Sequence, residues 1–144
     1  MTGATGPLVL HASCVGWRGQ ACLILGPSGA GKSALALRMM ALGAGLLADD
    51  RTEIAPAPDG RLIARCPPAL AGLIEARGIG LLRAAPTGPL PVALAVDLGL
   101  DETERLPPFR KLSLLGREVD LVLGPDRAHL AASLVQYLTA GRAA

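Results

Sequence analysis

Aromatic residues are nearly missing from this chain of 144 amino acids, which holds one Phe, one Trp and one Tyr. A protein that stacks exposed bases needs a platform of such rings, so single-stranded nucleic acid is a poor fit as a ligand. Charge of one sign is lacking too: 14 Lys and Arg stand against 12 Asp and Glu, and a net +2 is too weak to draw a polyanion. Asparagine does not occur at all, so the Asn-Lys-x-Asp element with which switch-type GTPases read guanine is impossible here. No stretch reaches the ~18 uninterrupted apolar residues of a membrane span. Met1 to Leu10 also lacks the basic start and long apolar run of a secretory signal. Cys14, Cys22 and Cys66 follow no metal-ligand spacing and leave one over if two were bridged. They read as small buried hydrophobes in a reducing compartment, and the chain is expected to be cytoplasmic.

What is present is a globular composition: 51% hydrophobic against 18% charged residues, which excludes disorder. With so few rings, the core must be built from Leu, Ala, Val and Ile packed closely. The length suits one domain.

Residues 8–15 read as a first strand and Gly16-Trp17-Arg18-Gly19 as the turn into a second, residues 20–25. Residues 32–42 carry Leu35, Met39 and Leu42 at helical spacing, with Gly43 placed to close the helix. Leu46-Leu47-Ala48 is a short buried strand. Residues 51–55 and 62–66 flank Asp59-Gly60, a hairpin signal. Residues 70–75 read as a short helix or irregular turn. Residues 90–98 form another strand, 119–123 a last edge strand, and Asp126 caps a final helix over 127–139. Many strands and few helices predict an α/β fold with a mixed sheet.

Between the second strand and the first helix runs Gly26-Pro27-Ser28-Gly29-Ala30-Gly31-Lys32-Ser33, a match to G-x-x-x-x-G-K-[ST]. Glycines let consecutive N–H groups turn inward as an anion nest, and the helix that follows points its positive end at the phosphates. Lys32 would neutralise the β- and γ-oxygens, and the Ser33 hydroxyl would ligate magnesium, so ATP and Mg2+ are the expected cofactors. Asp49 and Asp50 end the strand at residues 46–48, where such a site manages a metal or a nucleophile. Adjacent strand residues point to opposite faces, which predicts different tasks for the two. Sequence leaves open which of them takes a proton.

The loop, Ala34-Leu35-Ala36-Leu37, and then Leu46-Leu47-Ala48-Asp49-Asp50-Arg51 resemble the catalytic core of HPr kinase/phosphorylase. Glu75-Ala76-Arg77-Gly78-Ile79-Gly80 resembles that family's Glu-Ile-Arg-Gly-x-Gly signature. The resemblance implies a P-loop kinase domain of the HPr kinase and phosphoenolpyruvate carboxykinase-like type over residues 1–144, in the short alphaproteobacterial form without the family's N-terminal domain. It implies phosphorylation of a serine on an HPr-like phosphocarrier protein of a phosphotransferase system, with a reverse phosphorylase activity. His11 would be the catalytic histidine, working with Asp49, Asp50 and Lys32. Ser33 and Glu75 would hold magnesium, and Arg77 would support the signature loop. Arg105, in Thr103-Glu104-Arg105-Leu106, would be a further catalytic arginine. A family loop would be shortened near Thr87 to Pro91, and only Pro125 and Arg127 remain of the reverse-reaction loop. The family also implies a homo-oligomer, up to a hexamer. A small-metabolite kinase and a non-catalytic nucleotide sensor compete with this reading. The first calls for a lid and an enclosed acceptor pocket, for which little chain is left. The second would dispense with His11 and the Asp pair, which are present.

Overall fold

The sheet is organised around its longest strand, β9 (Leu90–Asp101), in the computed structural model, which describes residues 7–144. One edge of β9 pairs in parallel with β3 (Gln20–Leu25). The other pairs antiparallel with β6 (Leu62–Arg65) at its start and in parallel with β11 (Arg117–Gly124) beyond. From β3 the sheet continues through β2 (Ser13–Trp17) to β4 (Gly45–Ala48), and from β6 through β5 (Thr52–Pro56) to β1 (Leu8–Leu10). β10 (Arg110–Leu114) pairs with β11. Parallel and antiparallel neighbours therefore coexist, as the mixed-sheet expectation had it. A separate hairpin, β7 (Leu73–Ala76) and β8 (Gly80–Arg83), stands apart from this sheet.

Strand alternation divides the core in two. Cys22, Ile24, Leu94 and Val96 face helices α1 (Lys32–Ala41) and α2 (Leu130–Ala140), meeting Leu35 and Met39 of α1 and Leu134 and Leu138 of α2. Ala21, Leu23 and Ala95 face the other way, against Ile54, Leu62, Ala64, Leu114 and Val119. Because β2, β3 and β9 are covered on both faces, their residues run almost continuously apolar. Burial raises the Cys14 thiol well above its ordinary value and that of Cys22 to about 12, so both act as small hydrophobes.

Several expectations are corrected. The strand expected at 8–15 breaks at His11-Ala12 into β1 and β2. Residues 73–76 are a strand, preceded by one turn of 3-10 helix at Pro68–Leu70, rather than the short helix or irregular turn expected over residues 70–75. β11 is no edge strand, since β9 and β10 flank it. Leu42 is exposed, and the buried stripe of α1 is Leu35, Ala36 and Met39. Asp126 does not cap α2, which starts later with His129 at its cap position. Its carboxylate pairs instead with Arg38 on α1.

The segment near Thr87, expected to be a shortened family loop, is tied to the sheet at both ends. The Thr87 N–H donates to the Leu46 carbonyl at 2.9 Å, and Leu90 and Pro91 pair with β6. Gly45 makes this approach possible, because a Cβ there would sit 2.4 Å from the Thr87 methyl carbon.

Candidate phosphate and carboxylate site

Residues 26–33 leave the buried end of β3 and enter α1, the strand-to-helix context that a phosphate loop requires. Gly31 holds the helix cap position at φ 98°, a conformation that side chains with a Cβ resist. Among the described residues no side chain caps α1, and no acidic residue occupies its first turn, which leaves the positive end of the helix open to an anion. Lys32 arches back over the loop, donating to the carbonyls of Gly26 at 2.7 Å and Pro27 at 3.1 Å. An anion seated in the loop would take over this ammonium as a charge-assisted partner.

The carboxylates come from a matched pair of kinks. Leu10 pairs with Thr52 across β1 and β5, and Cys14 pairs with Ala48 across β2 and β4. Between these registers both chains leave the sheet together, at residues 11–12 and 49–51. The buried Thr52 hydroxyl donates to the Ala12 carbonyl at 2.9 Å and ties the two kinks to each other. Asp50 turns the chain at φ 68°, a left-handed conformation that Asp tolerates better than most residues and that recurs at functional sites. His11, Asp49 and Asp50 thereby line one cavity.

This corrects the expectation that the two aspartates face opposite sides. β4 ends at Ala48, so strand alternation does not govern them. They differ instead in burial and commitment. Asp49 is 7% exposed, and both of its oxygens accept hydrogen bonds from the protein. Its Oδ1 accepts from the Ser33 hydroxyl at 2.7 Å and from the Ser13 hydroxyl at 2.6 Å. Its Oδ2 accepts from the Glu75 N–H at 3.0 Å. Asp50 is exposed to the cavity.

The cavity measures about 910 Å3, the upper end of the range for small-molecule sites. Hairpin β7–β8 forms one wall, anchored by the buried Ile74 and placing Glu75 and Arg77 on the cavity beside the exposed Ile79 and Leu81. His11, Lys32, Ser33, Asp49, Asp50 and Glu75 are thus brought together. Arg105 is not: it is exposed between β9 and β10 and does not line the cavity. Its segment is drawn along β11 by the Glu102 N–H, which donates to the Gly124 carbonyl at 2.9 Å. Arg127 pairs with Asp101 at 3.0 Å, also outside the cavity. Ser13 was missed by sequence reasoning. Its signal was a hydroxyl inside the apolar run around His11, two residues on, at a depth where it needs a partner.

Among the described residues no cluster of three or more His, Cys, Asp or Glu forms a ready-made metal cage. Magnesium does not need one, since it commonly takes one or two protein oxygens and completes its shell with phosphate and water. The hydroxyl of Ser33 and the carboxylates of Asp49 and Glu75 are hard oxygen donors of the kind it takes. Among the described residues no helix is long and apolar enough to cross a membrane.

Residues 5–87 match the family model of the HPr serine kinase C-terminal domain. The HPr kinase/phosphorylase of Bordetella petrii is 47% identical over 64 residues, 44% of this chain and 21% of that protein. That of Cupriavidus necator is 40% identical over 75 residues, 52% of this chain and 23% of its own length. The aligned part therefore spans about a fifth of these relatives. The solved HPr(Ser) kinase/phosphatase of Coxiella burnetii shares the fold, with a TM-score of 0.77 at 24% identity, over 92% of this chain and 88% of that one.

Proposed function

This chain belongs to the HPr serine kinase C-terminal domain family, and from that membership we propose that it is an ATP- and magnesium-dependent serine kinase acting on an HPr-like phosphocarrier protein in the cytoplasm. The observation that carries this reading is the sharing of one buried carboxylate, Asp49, with the phosphate-loop serine, Ser33, at the floor of a nucleotide-sized cavity. That pairing joins the phosphate loop to the carboxylate kink in the way phosphoryl transfer requires. Ser33, Asp49 and Glu75 would hold magnesium, which when bound supplies charge neutralisation on the terminal phosphates. Lys32 would exchange its loop carbonyls for the transferred phosphate.

Asp49 is spoken for by three donors, so the proton of the acceptor serine goes to Asp50, whose carboxylate meets the cavity directly. As that proton moves, the serine oxygen bonds to the γ-phosphorus and the bond to the bridging oxygen of the nucleotide breaks. His11, at the facing kink, orients the acceptor or shares its proton. Since Arg127 is engaged with Asp101, the forward reaction is better supported than the reverse. Exposed Ile79, Leu81, Leu106 and Phe109 favour a homo-oligomer, which sedimentation at micromolar concentration would register.

The test is single-turnover transfer from γ-labelled ATP to candidate HPr-like carriers, alongside nucleotide titration. Label should reach a carrier serine. Asp50→Asn should slow transfer roughly 10²–10⁴-fold while nucleotide affinity is kept, because an amide cannot take the proton. Wild-type transfer rates in both Asp50→Asn and Asp49→Asn would remove the aspartates from the chemistry, whereas nucleotide binding with no transfer to any carrier would leave only a nucleotide sensor.

A further inference from the structure

We infer that Ser13 is a positioning residue for the metal-binding end of the site: it holds Asp49 in place so that Ser33 is free to turn toward magnesium. The inference rests on the nucleotide and magnesium reading above. Ser13 opens β2, and the residue is fully buried at the cavity floor. A hydroxyl at that depth needs a partner, and it finds Asp49 Oδ1 at 2.6 Å. The same oxygen accepts from Ser33 at 2.7 Å, so two hydroxyls converge on one atom. If Ser33 were its only partner, that oxygen would swing whenever Ser33 changed its contacts. Ser13 is held by β2, whereas Ser33 lies in the first turn of α1, so the Ser13 contact does not depend on the phosphate loop. Together with the Glu75 N–H on Oδ2 at 3.0 Å, it fixes both carboxylate oxygens. Outer partners of this kind orient the groups that touch a metal, and losing one typically weakens metal affinity about 10–100-fold.

The experiment uses the intact chain and a non-hydrolysable ATP analogue, titrated with and without magnesium. Ser13→Ala should raise the magnesium concentration at half-saturation about tenfold while leaving analogue affinity in chelator, and the melting temperature, close to wild type. Ser13→Thr keeps the hydroxyl and should restore most of the magnesium response. A wild-type magnesium midpoint in Ser13→Ala would overturn the inference and leave the kinase reading standing. So would an equal loss of affinity with and without magnesium, since that marks a general structural defect. Should the wild-type chain bind no analogue under any condition, the kinase reading falls and takes this inference with it.

Discussion

Among the described residues, those lining the cavity run from His11 to Leu81, whereas β9, β10, β11 and α2, all beyond residue 89, contribute none. The family model likewise stops at residue 87. Yet the second region is no appendage. Leu94 and Val96 of β9 and Leu130, Leu134 and Leu138 of α2 pack in one cluster with Leu35 and Met39 of α1, the helix that carries the phosphate loop. The first region holds groups whose positions matter to within a hydrogen bond, and the second holds volume. Chemistry constrains particular atoms at particular spacings. Packing constrains only that a site be filled by apolar atoms of about the right size.

The comparison predicts that variants in the two regions fail in different ways. Lys32→Ala should give the largest effect of this set, lowering phosphoryl transfer at least about a hundredfold by removing a preorganised cation from the developing charge. The melting temperature should hardly move, since the ammonium contacts only loop carbonyls. Unchanged turnover would break the assignment of the first region. Leu134→Ala should do the reverse. Its side chain is 1% exposed beneath α2, and truncation should cost about 2–5 kcal/mol of stability. Well below its lowered melting point, the variant's kcat/KM should stay within about twofold of wild type. A large loss of transfer in a folded Leu134→Ala protein would show that the second region shapes the site directly.

Legibility in the sequence follows the same division. The phosphate loop and β3 were readable because their signals are local: glycine spacing and an apolar run ending at the loop. Asp49 and Asp50 were readable as a pair but not as a division of labour. Their difference arises where β4 ends, and no residue announces that kink except through the left-handed turn at Asp50. Residues 70–75 read as a short helix or irregular turn because β7 is made a strand by its partner β8, which is exposed along its whole length and carries no alternation of its own. β10 was not anticipated either: Arg-Lys-Leu-Ser-Leu follows two prolines, and its pairing with β11 is what makes it a strand. β11 looked like an edge because nothing in residues 119–123 records that β9 lies alongside. Asp126 looked like a cap because caps are read from neighbours in the chain, and its actual partner, Arg38, is far away in sequence.

The smallest expected effect sharpens the comparison at the edge of the second region, where Glu102 accepts from Arg110 through both oxygens, at 2.9 and 3.0 Å. The guanidinium hydrogen bonds lower the Glu102 carboxyl below its ordinary 4.5, and the same pair raises Arg110. A carboxyl lowered in the folded state binds its proton more tightly once unfolded, so protonation favours unfolding. Its contribution is therefore complete above the unfolded value and is lost as pH falls through the folded one. Melting curves of wild type and Glu102→Gln should differ by a constant, small amount near neutral pH, and that gap should close on acidification below about 4.3. Other carboxylates titrate in the same range, but they are common to both proteins and cancel in the difference. Added salt should narrow the gap at neutral pH, because the pair lies within reach of solvent ions. Glu102 does not line the cavity, so nucleotide affinity should be unchanged in Glu102→Gln. A gap that persists unaltered at low pH would mean that Gln disturbs the backbone contact to Gly124 rather than the charge pair, and the electrostatic account of this corner would be wrong.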